Sequence, residues 1–540
     1  MRVVLNGRRV DAWVVAVGHA GDPDFSVVEA GKLSPLLDVA DLGVDEQVVP
    51  LAQWVAAHWA GPLRTVLSTA TPDRKRARPV HGRRGRATNG QPDVSPQVAA
   101  LLGSRGGVLR VPPLESAMSV VVQAAARGTV LVLCPTLRMA RLGAAYLRRT
   151  GLTTAELPDQ VDAAIAGVDV VIGARSAVLA PCAGMASIVV VDEHDESYHD
   201  ERVPTWWAPE IAWERGRRAG VPVLLTSPVP SAAAELLCGP VIDLSAQAGG
   251  WPRVRVVNLL DVPVKGSLIS EELLTEVRTT ASSVLCVLNT KGTARMLACR
   301  SCRSLQTCPG CNSAVASVGD VLACPACRAE RAAVCQSCGR TALVNVRSGT
   351  ARLAEELAAA GSLPVVEVTS STDGVGGGSA VYVGTDALLH RVTSAGTVVF
   401  LDIDRDLSAP RMGAGRECLA AVARAARIVG RGGTVIIQTR QPQHPLVVSL
   451  ASGTVDEYLR ADTELARSMG LPPFSTVAVM SADPPIEDRS VPVVPGVEWS
   501  NDGERLVARS PDRPALLDFV ARVRAATPSR VRVSVNPPRI

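Results

Sequence analysis

The chain has 540 residues, 47% of them hydrophobic and 20% charged, with a formal net charge of +4 and a pI near 8.4. That length predicts roughly three to four domains with packed cores, and a balance this mildly basic is not in itself evidence of nucleic-acid binding. No apolar run reaches the roughly 18 residues of a membrane span, and the start, "MRVVLNGRRVDAWVV", lacks the apolar core and cleavage site of a signal peptide; the expectation is a cytoplasmic protein with no membrane partner.

Residues 1–72 mix short β-rich runs such as "DAWVVAVG" with a helical pattern, "VVPLAQWVAAHWAGPL". Residues 73–96 follow as a linker of Pro, Gly and clustered Arg/Lys without apolar periodicity. From 97 to 245, apolar runs ("GVLRV", "TVLVLCP", "VDVVIGA", "SIVVVDE", "VPVLLTS") alternate with helical stretches, the rhythm of a parallel sheet covered by helices. A second set, "SVLCVLN", "LPVVEVT", "AVYVGT", "TVVFLDI" and "TVIIQT", makes up residues 246–443 and is interrupted by a cysteine-rich insert at 297–341. The tail, 444–540, contains a helical run, "TVDEYLRADTELARSMG", then "LPPFSTVAVM" and a closing strand, "RVRVSVN". The fold class is therefore α/β: two parallel-sheet lobes, a small β-rich N-terminal domain and an α+β C-terminal domain.

Eight of the 13 cysteines lie between Cys299 and Cys338, in four Cys-x-x-Cys units. Each unit turns two thiolates toward one ion, two units make a tetrahedral four-sulfur site, and such a site suits zinc. Eight ligands imply two ions. Four units can pair in three ways. We adopt the nested one: Cys308, Cys311, Cys324 and Cys327 around one zinc, and Cys299, Cys302, Cys335 and Cys338 around the other. Iron is the substitute metal. A redox Cys-x-x-Cys would need one reactive unit, not four. Arg300, Arg303, Arg328, Arg331 and Arg340 are placed to screen the thiolate charge, with contact to phosphate as the alternative role. Cys134, Cys182, Cys238, Cys286 and Cys418 stand alone in apolar contexts and read as buried and inert.

Asp192 and Glu193 follow four apolar residues, Ile188 to Val191. An acidic pair at a strand end is where nucleotide-hydrolysing motors hold the magnesium and the attacking water. A motor also needs a phosphate loop, G-x-x-x-x-G-K-[ST], whose amides, lysine and hydroxyl hold the phosphates and magnesium. None occurs in the chain. At the expected place stands "RVPPLESA", Arg110 to Ala117: two prolines remove amide donors, Glu115 repels phosphate, and Ser116 and Ala117 stand where lysine and hydroxyl belong. Without the loop, Asp192 and Glu193 read better as a strand-end cap, and ATP with magnesium is not an expected cofactor. Trp206 and Trp207 read as packing residues, with base stacking as the alternative.

These segments resemble those of the primosomal replication-restart helicases, the PriA family (primosomal protein N′). The resemblance covers "AQWVAAHWAGPLRTVLSTATP", "VVIGARSAVLAPCAGMASIVVVDEHDESYH", the insert beginning "TARMLACRSCRSLQTCPGC", and "YVGTDALLHRV", "LDIDRDLSAP", "VIIQTRQPQHP" and "ARSMGLPPF". It implies two RecA-like lobes, an N-terminal domain for DNA 3′ ends and nested zinc ligands, in agreement with the pairing adopted above. It also implies forked, branched or single-stranded DNA as ligand. The implied partners are primosome proteins, single-strand-binding protein and the replicative helicase. The departures fall on ATP binding and its coupling to DNA. His194 directly follows Glu193, residues 226–231 read "TSPVPS", "GTDALLHRVTS" has lost a Lys and a Gly, and Arg424 and Arg427 keep their spacing without the glycines between them. The chain opens inside what resembles the family's second strand; Gly7 matches a pocket glycine, whereas Ser34 stands where a lysine is expected. The expectation is a restart protein that binds forks and promotes primosome assembly without ATPase or helicase activity. The alternatives are an active 3′-to-5′ helicase and a zinc scaffold in another DNA process.

Overall fold

The computed structural model describes residues 2–5, 8–17, 36–38, 43–71, 94–244, 250–262, 267–289, 297–310, 313–325, 327–345, 350–361, 363–368, 379–409 and 411–537. Gly7, Ser34, Cys311 and most of the basic stretch 73–96 lie outside them. The described chain forms two compact units, one of residues 1–109, 117–244 and 466–538, the other of residues 110–116, 245–465 and 539–540.

The first unit is built on a seven-stranded sheet in the order Ile242–Asp243, Gly106–Arg110, Val223–Ser227, Met185–Val191, Thr129–Leu133, Val170–Gly173 and Thr154–Glu156. Its central pairs are parallel. The strands Thr129–Leu133, Val170–Gly173 and Val223–Ser227 are buried along their whole length, which is why they read as continuous apolar runs rather than alternating ones. Gly106, at φ 101°, lets this strand approach its neighbour; a Cβ there would stand 1.9 Å from the Val223 carbonyl oxygen. An antiparallel sheet in the order Glu498–Asn501, Leu506–Ser510, Thr476–Ser481 and Arg532–Val535 shares one apolar core with this lobe and with the helices Val48–His58 and Leu63–Ala70. Of the described residues 11–17 of the run "DAWVVAVG", only Asp11 belongs to a strand; Trp13 instead donates its indole N–H to Thr71 Oγ1 at 2.7 Å and packs on that core.

Polar contacts join the segments of this unit. His58 on the first helix meets Glu210 Oε1 at 2.8 Å, and Arg513, on the helix Arg513–Ala526, lies 3.6 Å from the same carboxylate. Trp206 and Trp207 are 1% and 9% exposed, so both pack in the core. His199 stacks on Trp207 with ring centroids 6.1 Å apart. Burial pushes its imidazole pKa down to about 4, against the opposing pull of Glu210. The folded state therefore keeps this ring neutral while the unfolded chain takes up its proton near pH 6.5. This contribution to stability is present above pH 6.5 and is lost as pH falls toward 4. Replacing His199 by Phe keeps a stacking ring and is expected to remove about 2–3 kcal/mol of the acid-side loss at pH 4. Denaturant unfolding at pH 7 and pH 4 checks it, and equal losses in the two proteins contradict it.

The second unit carries a six-stranded, all-parallel sheet: Arg253–Asn258, Thr434–Thr439, Thr397–Phe400, Val284–Val287, Val381–Gly384 and Val365–Val368. All ten apolar runs quoted above for the two lobes are strands, and the α/β class with two parallel sheets is the architecture found. Between Val284–Val287 and the later strands sits the cysteine-rich insert. The antiparallel pair Leu297–Cys299 with Leu343–Asn345 closes it, so it runs past residue 341 to Asn345. A three-stranded meander, Ala316–Val318, Val321–Ala323 and Glu330–Ala332, lies inside. Of the tail, the helix Pro445–Ser452 and residues up to 465 belong to this unit, and residues 466–538 to the first. Among the described residues, no helix is long and apolar enough to cross a membrane.

Candidate functional site

The four Cys-x-x-Cys units share one backbone device. The N–H of the first cysteine donates to the carbonyl five residues on: Cys299 to Ser304, Cys308 to Ser313, Cys324 to Ala329 and Cys335 to Arg340, at 2.8–2.9 Å. In three units the residue after the second cysteine closes the turn on the first cysteine's carbonyl: Arg303 on Cys299, Arg328 on Cys324 and Gly339 on Cys335. Each of these residues has a positive φ, 62° at Arg303, 61° at Arg328 and 71° at Gly339. This is the left-handed conformation that lets a chain reverse within three residues. Both sulfurs of each of these three units are thereby aimed to the same side.

Two groups of sulfurs result. Those of Cys299, Cys302, Cys335 and Cys338 lie within 4.8 Å of one another, and so do those of Cys308, Cys324 and Cys327. The structure thus brings together the four residues named for the outer site and the three described residues named for the inner one. In the outer group, Sγ of Cys299 is 3.5 Å from Cys338 and Sγ of Cys302 is 3.5 Å from Cys335. Burial opposes ionisation of Cys335, yet the Ser304 hydroxyl and the N–H groups of Cys338 and Ser337 hold its pKa down to about 5. The Arg340 N–H favours the Cys338 thiolate, but the crowding sulfurs of Cys302, Cys299 and Cys335 push its pKa up to about 12. Four thiols this close do not all ionise unaided. A divalent cation among them removes that conflict, and the all-sulfur donor set at tetrahedral spacing fits zinc. Both groups could hold a metal ion.

The arginines near these ligands do more than screen charge. Arg303 Nη1 donates to the carbonyls of Leu260 and Val262 at 2.9 and 2.7 Å, which bolts the first knuckle to the chain just after the strand Arg253–Asn258. Arg331 donates to the Val334 carbonyl at 2.7 Å and to Gln306 Oε1 at 3.1 Å. Arg300, Arg328 and Arg340 are exposed. Replacing Arg303 by Ala is expected to leave both sulfur groups intact and to weaken the anchorage by about 1.5–3 kcal/mol, the range for hydrogen bonds to a charged donor. Faster amide exchange around residues 259–262, with unchanged metal content, is the expected readout.

The acidic pair is buried directly after the strand Met185–Val191. Asp192 is 4% exposed and takes a positive φ of 53°; its carbonyl accepts from Asp195 N at 2.9 Å. Glu193 is 0% exposed, and its two oxygens accept from Ser231 N at 2.7 Å and Ser231 Oγ at 2.8 Å. Ser231 Oγ in turn accepts from Ala234 N at 3.1 Å, as N-cap of the helix Ala232–Cys238. Glu193 therefore secures a helix start rather than capping its own strand end. His194 Nδ1 pairs with Ser227 Oγ at 2.7 Å. The single Tyr198 O–H is shared between the carbonyls of Val191 at 2.6 Å and Leu133 at 2.9 Å, at the ends of two neighbouring strands. The segment "TSPVPS" thus supplies partners to both Glu193 and His194.

The loop from Arg110 to Ala117 offers few donors. Pro112 and Pro113 have no N–H, Leu114 N donates to the Gly250 carbonyl at 3.1 Å, and Glu115 N donates to the Pro112 carbonyl at 2.9 Å. Gly250 lies so close that a Cβ on it would stand 1.8 Å from Pro112 Cβ. Ser116 is exposed, and Ala117 starts the helix Ala117–Ala125. Of the lone cysteines, Cys134, Cys286 and Cys418 are buried, while Cys182 and Cys238 are half-buried rather than fully enclosed. Burial still pushes the Cys182 thiol up to about 11 and the Cys238 thiol higher, so neither is a ready nucleophile.

No family model matches the chain. It is 28% identical over 338 residues to the replication restart protein PriA of Treponema pallidum, covering 56% of this chain and 50% of that protein. It is also 28% identical over 346 residues to the PriA of Haemophilus influenzae, covering 58% and 47%. The chain therefore spans about half the length of the curated relatives it matches. Among solved structures, it is similar to S. cerevisiae Dbp5 bound to RNA and ADP BeF3, at 13% identity and a TM-score of 0.37 over 68% of this chain and 87% of that one. By its sequence matches, together with the paired lobes and the cysteine insert, the chain resembles the PriA family of replication restart proteins.

Proposed function

We propose that this chain acts in replication restart as a DNA-binding scaffold without a motor. It would bind forked, branched or single-stranded DNA and recruit primosome proteins, single-strand-binding protein and the replicative helicase, holding two zinc ions in its insert. The observation that carries this reading is the fate of the nucleotide machinery. The backbone N–H groups of residues 112–115 are missing or bound within the chain, and Glu193 is committed to Ser231. Loss of the positioning and charge stabilisation that a phosphate loop and a catalytic carboxylate supply costs several orders of magnitude in rate. The cysteine groups, which fit the nested zinc insert that the resemblance implies, and the matches to PriA proteins support the restart assignment.

The test is ATP hydrolysis with and without fork DNA on zinc-loaded protein, with fork binding measured on the same preparation across a salt series. Hydrolysis at the buffer background is expected, with binding that falls linearly in log–log form with salt, as phosphate contacts dictate. Turnover abolished by Asp192→Asn would restore the helicase. Absence of both turnover and fork binding would favour a zinc scaffold in another process.

A further inference from the structure

Gln306 is 1% exposed, yet it carries an amide that is costly to bury unpaired. It lies between the two outer knuckles and is satisfied at both ends. Nε2 donates toward Ser304 O at 3.0 Å, Ser304 Oγ at 3.2 Å and Cys335 Sγ at 3.4 Å. Oε1 accepts from Arg331 Nη2 at 3.1 Å and from the Gln336 backbone N–H at 3.2 Å. Two donors converge on the oxygen and three acceptors on the nitrogen, so the reversed amide would set like against like. Ser304 Oγ lies 3.1 Å from Cys302 Sγ and 3.2 Å from Cys335 Sγ, sulfurs of different knuckles.

We propose that Gln306, acting with Ser304, is the positioning residue of the outer four-sulfur site. The inference rests on the reading that Cys299, Cys302, Cys335 and Cys338 hold a metal ion. Cys302 and Cys335 are 33 residues apart in the chain, and each knuckle's own turn aims only its own pair of sulfurs. The Gln306–Ser304 pair fixes the angle between the two knuckles. Its N–H and O–H groups also point at sulfurs of the two knuckles, where they stabilise thiolate charge. Partners of this kind behind metal ligands typically set affinity by roughly 10–100-fold. Arg331 completes the arrangement by holding the amide oxygen.

The experiment uses the zinc-loaded full chain, its Gln306→Leu variant and its Ser304→Ala variant. Each is titrated with a chromogenic zinc chelator, alkylated, and digested so that peptide masses locate the modified cysteines. In Gln306→Leu, alkylation of Cys299, Cys302, Cys335 and Cys338 is expected at chelator concentrations roughly 10–100-fold lower than in the unmodified chain. Cys308, Cys324 and Cys327 are expected to keep their protection. Ser304→Ala, which removes one oxygen atom and leaves the core in place, is expected to sensitise the same four residues by a smaller factor. The inference is overturned if neither variant sensitises the outer four, or if inner and outer cysteines are sensitised together. If zinc protects no cysteine of the unmodified chain, the metal reading itself fails, a result distinct from either of those.

Discussion

Stripping the metal from this protein is expected to unfold the insert from Leu297 to Asn345 while leaving the first unit folded. The insert cannot hold itself together by apolar burial. Among the described residues its core cluster consists of Leu297, Cys308, Val315, Leu322 and Cys324, and two of these five belong to a sulfur group that could hold a metal ion. Its strands are three residues long. A body this small needs a metal or disulfides to offset the entropy of ordering its chain. Structural zinc sites of this donor type supply about 10–16 kcal/mol of apparent binding energy at neutral pH, all of it coupled to folding. Amide exchange read by mass spectrometry after dialysis against a chelator is the check. Protection should vanish across 297–345 and persist in the strands Thr129–Leu133 and Met185–Val191. Persistence in the insert would mean that the sulfur clusters are not structural metal sites.

Replacing Glu193 by Ala is expected to lower the unfolding free energy of the first unit by about 2–4 kcal/mol. The side chain is fully buried and receives two hydrogen bonds from Ser231, 38 residues away. Its loss leaves the N–H and hydroxyl of the half-buried Ser231 without this acceptor, and orphaned donors cost up to about 1–3 kcal/mol each. The helix Ala232–Cys238 should then fray from its start, which exchange at Ala234 and Glu235 would report. A carboxylate kept for catalysis behaves in the opposite way: its removal abolishes turnover and leaves stability nearly unchanged or improved. Denaturant unfolding of the Glu193→Ala protein beside its ATPase assay separates the two roles. A stability change within about 0.5 kcal/mol, the range of neutral substitutions, would rule out the structural one.

What the sequence by itself determined are the features whose physics is local. A run such as "TVLVLCP" is a buried strand because every residue in it is apolar and flanked by turn formers, and the structure makes Thr129–Leu133 a strand covered on both faces. A Cys-x-x-Cys unit turns its sulfurs to one side within a few residues, so the existence of metal-ligand groups was legible from spacing alone. The shortage of backbone donors between Arg110 and Ala117 was legible too, since Pro112 and Pro113 lack their N–H groups in any fold. Only the tertiary structure decided where groups distant in sequence meet. It placed Cys302 against Cys335 rather than against a nearer knuckle, seated Gly250 on Pro112, and led Glu193 to Ser231. Gln306 carried no signal in the sequence, because a lone glutamine has no periodicity or spacing. Its role arises from burial among partners on both outer knuckles. The reason is common to all of these. Turn geometry and apolar patterning act over a few residues, whereas a buried polar group is explained by whatever acceptor or donor the packing of remote segments brings within 3.5 Å.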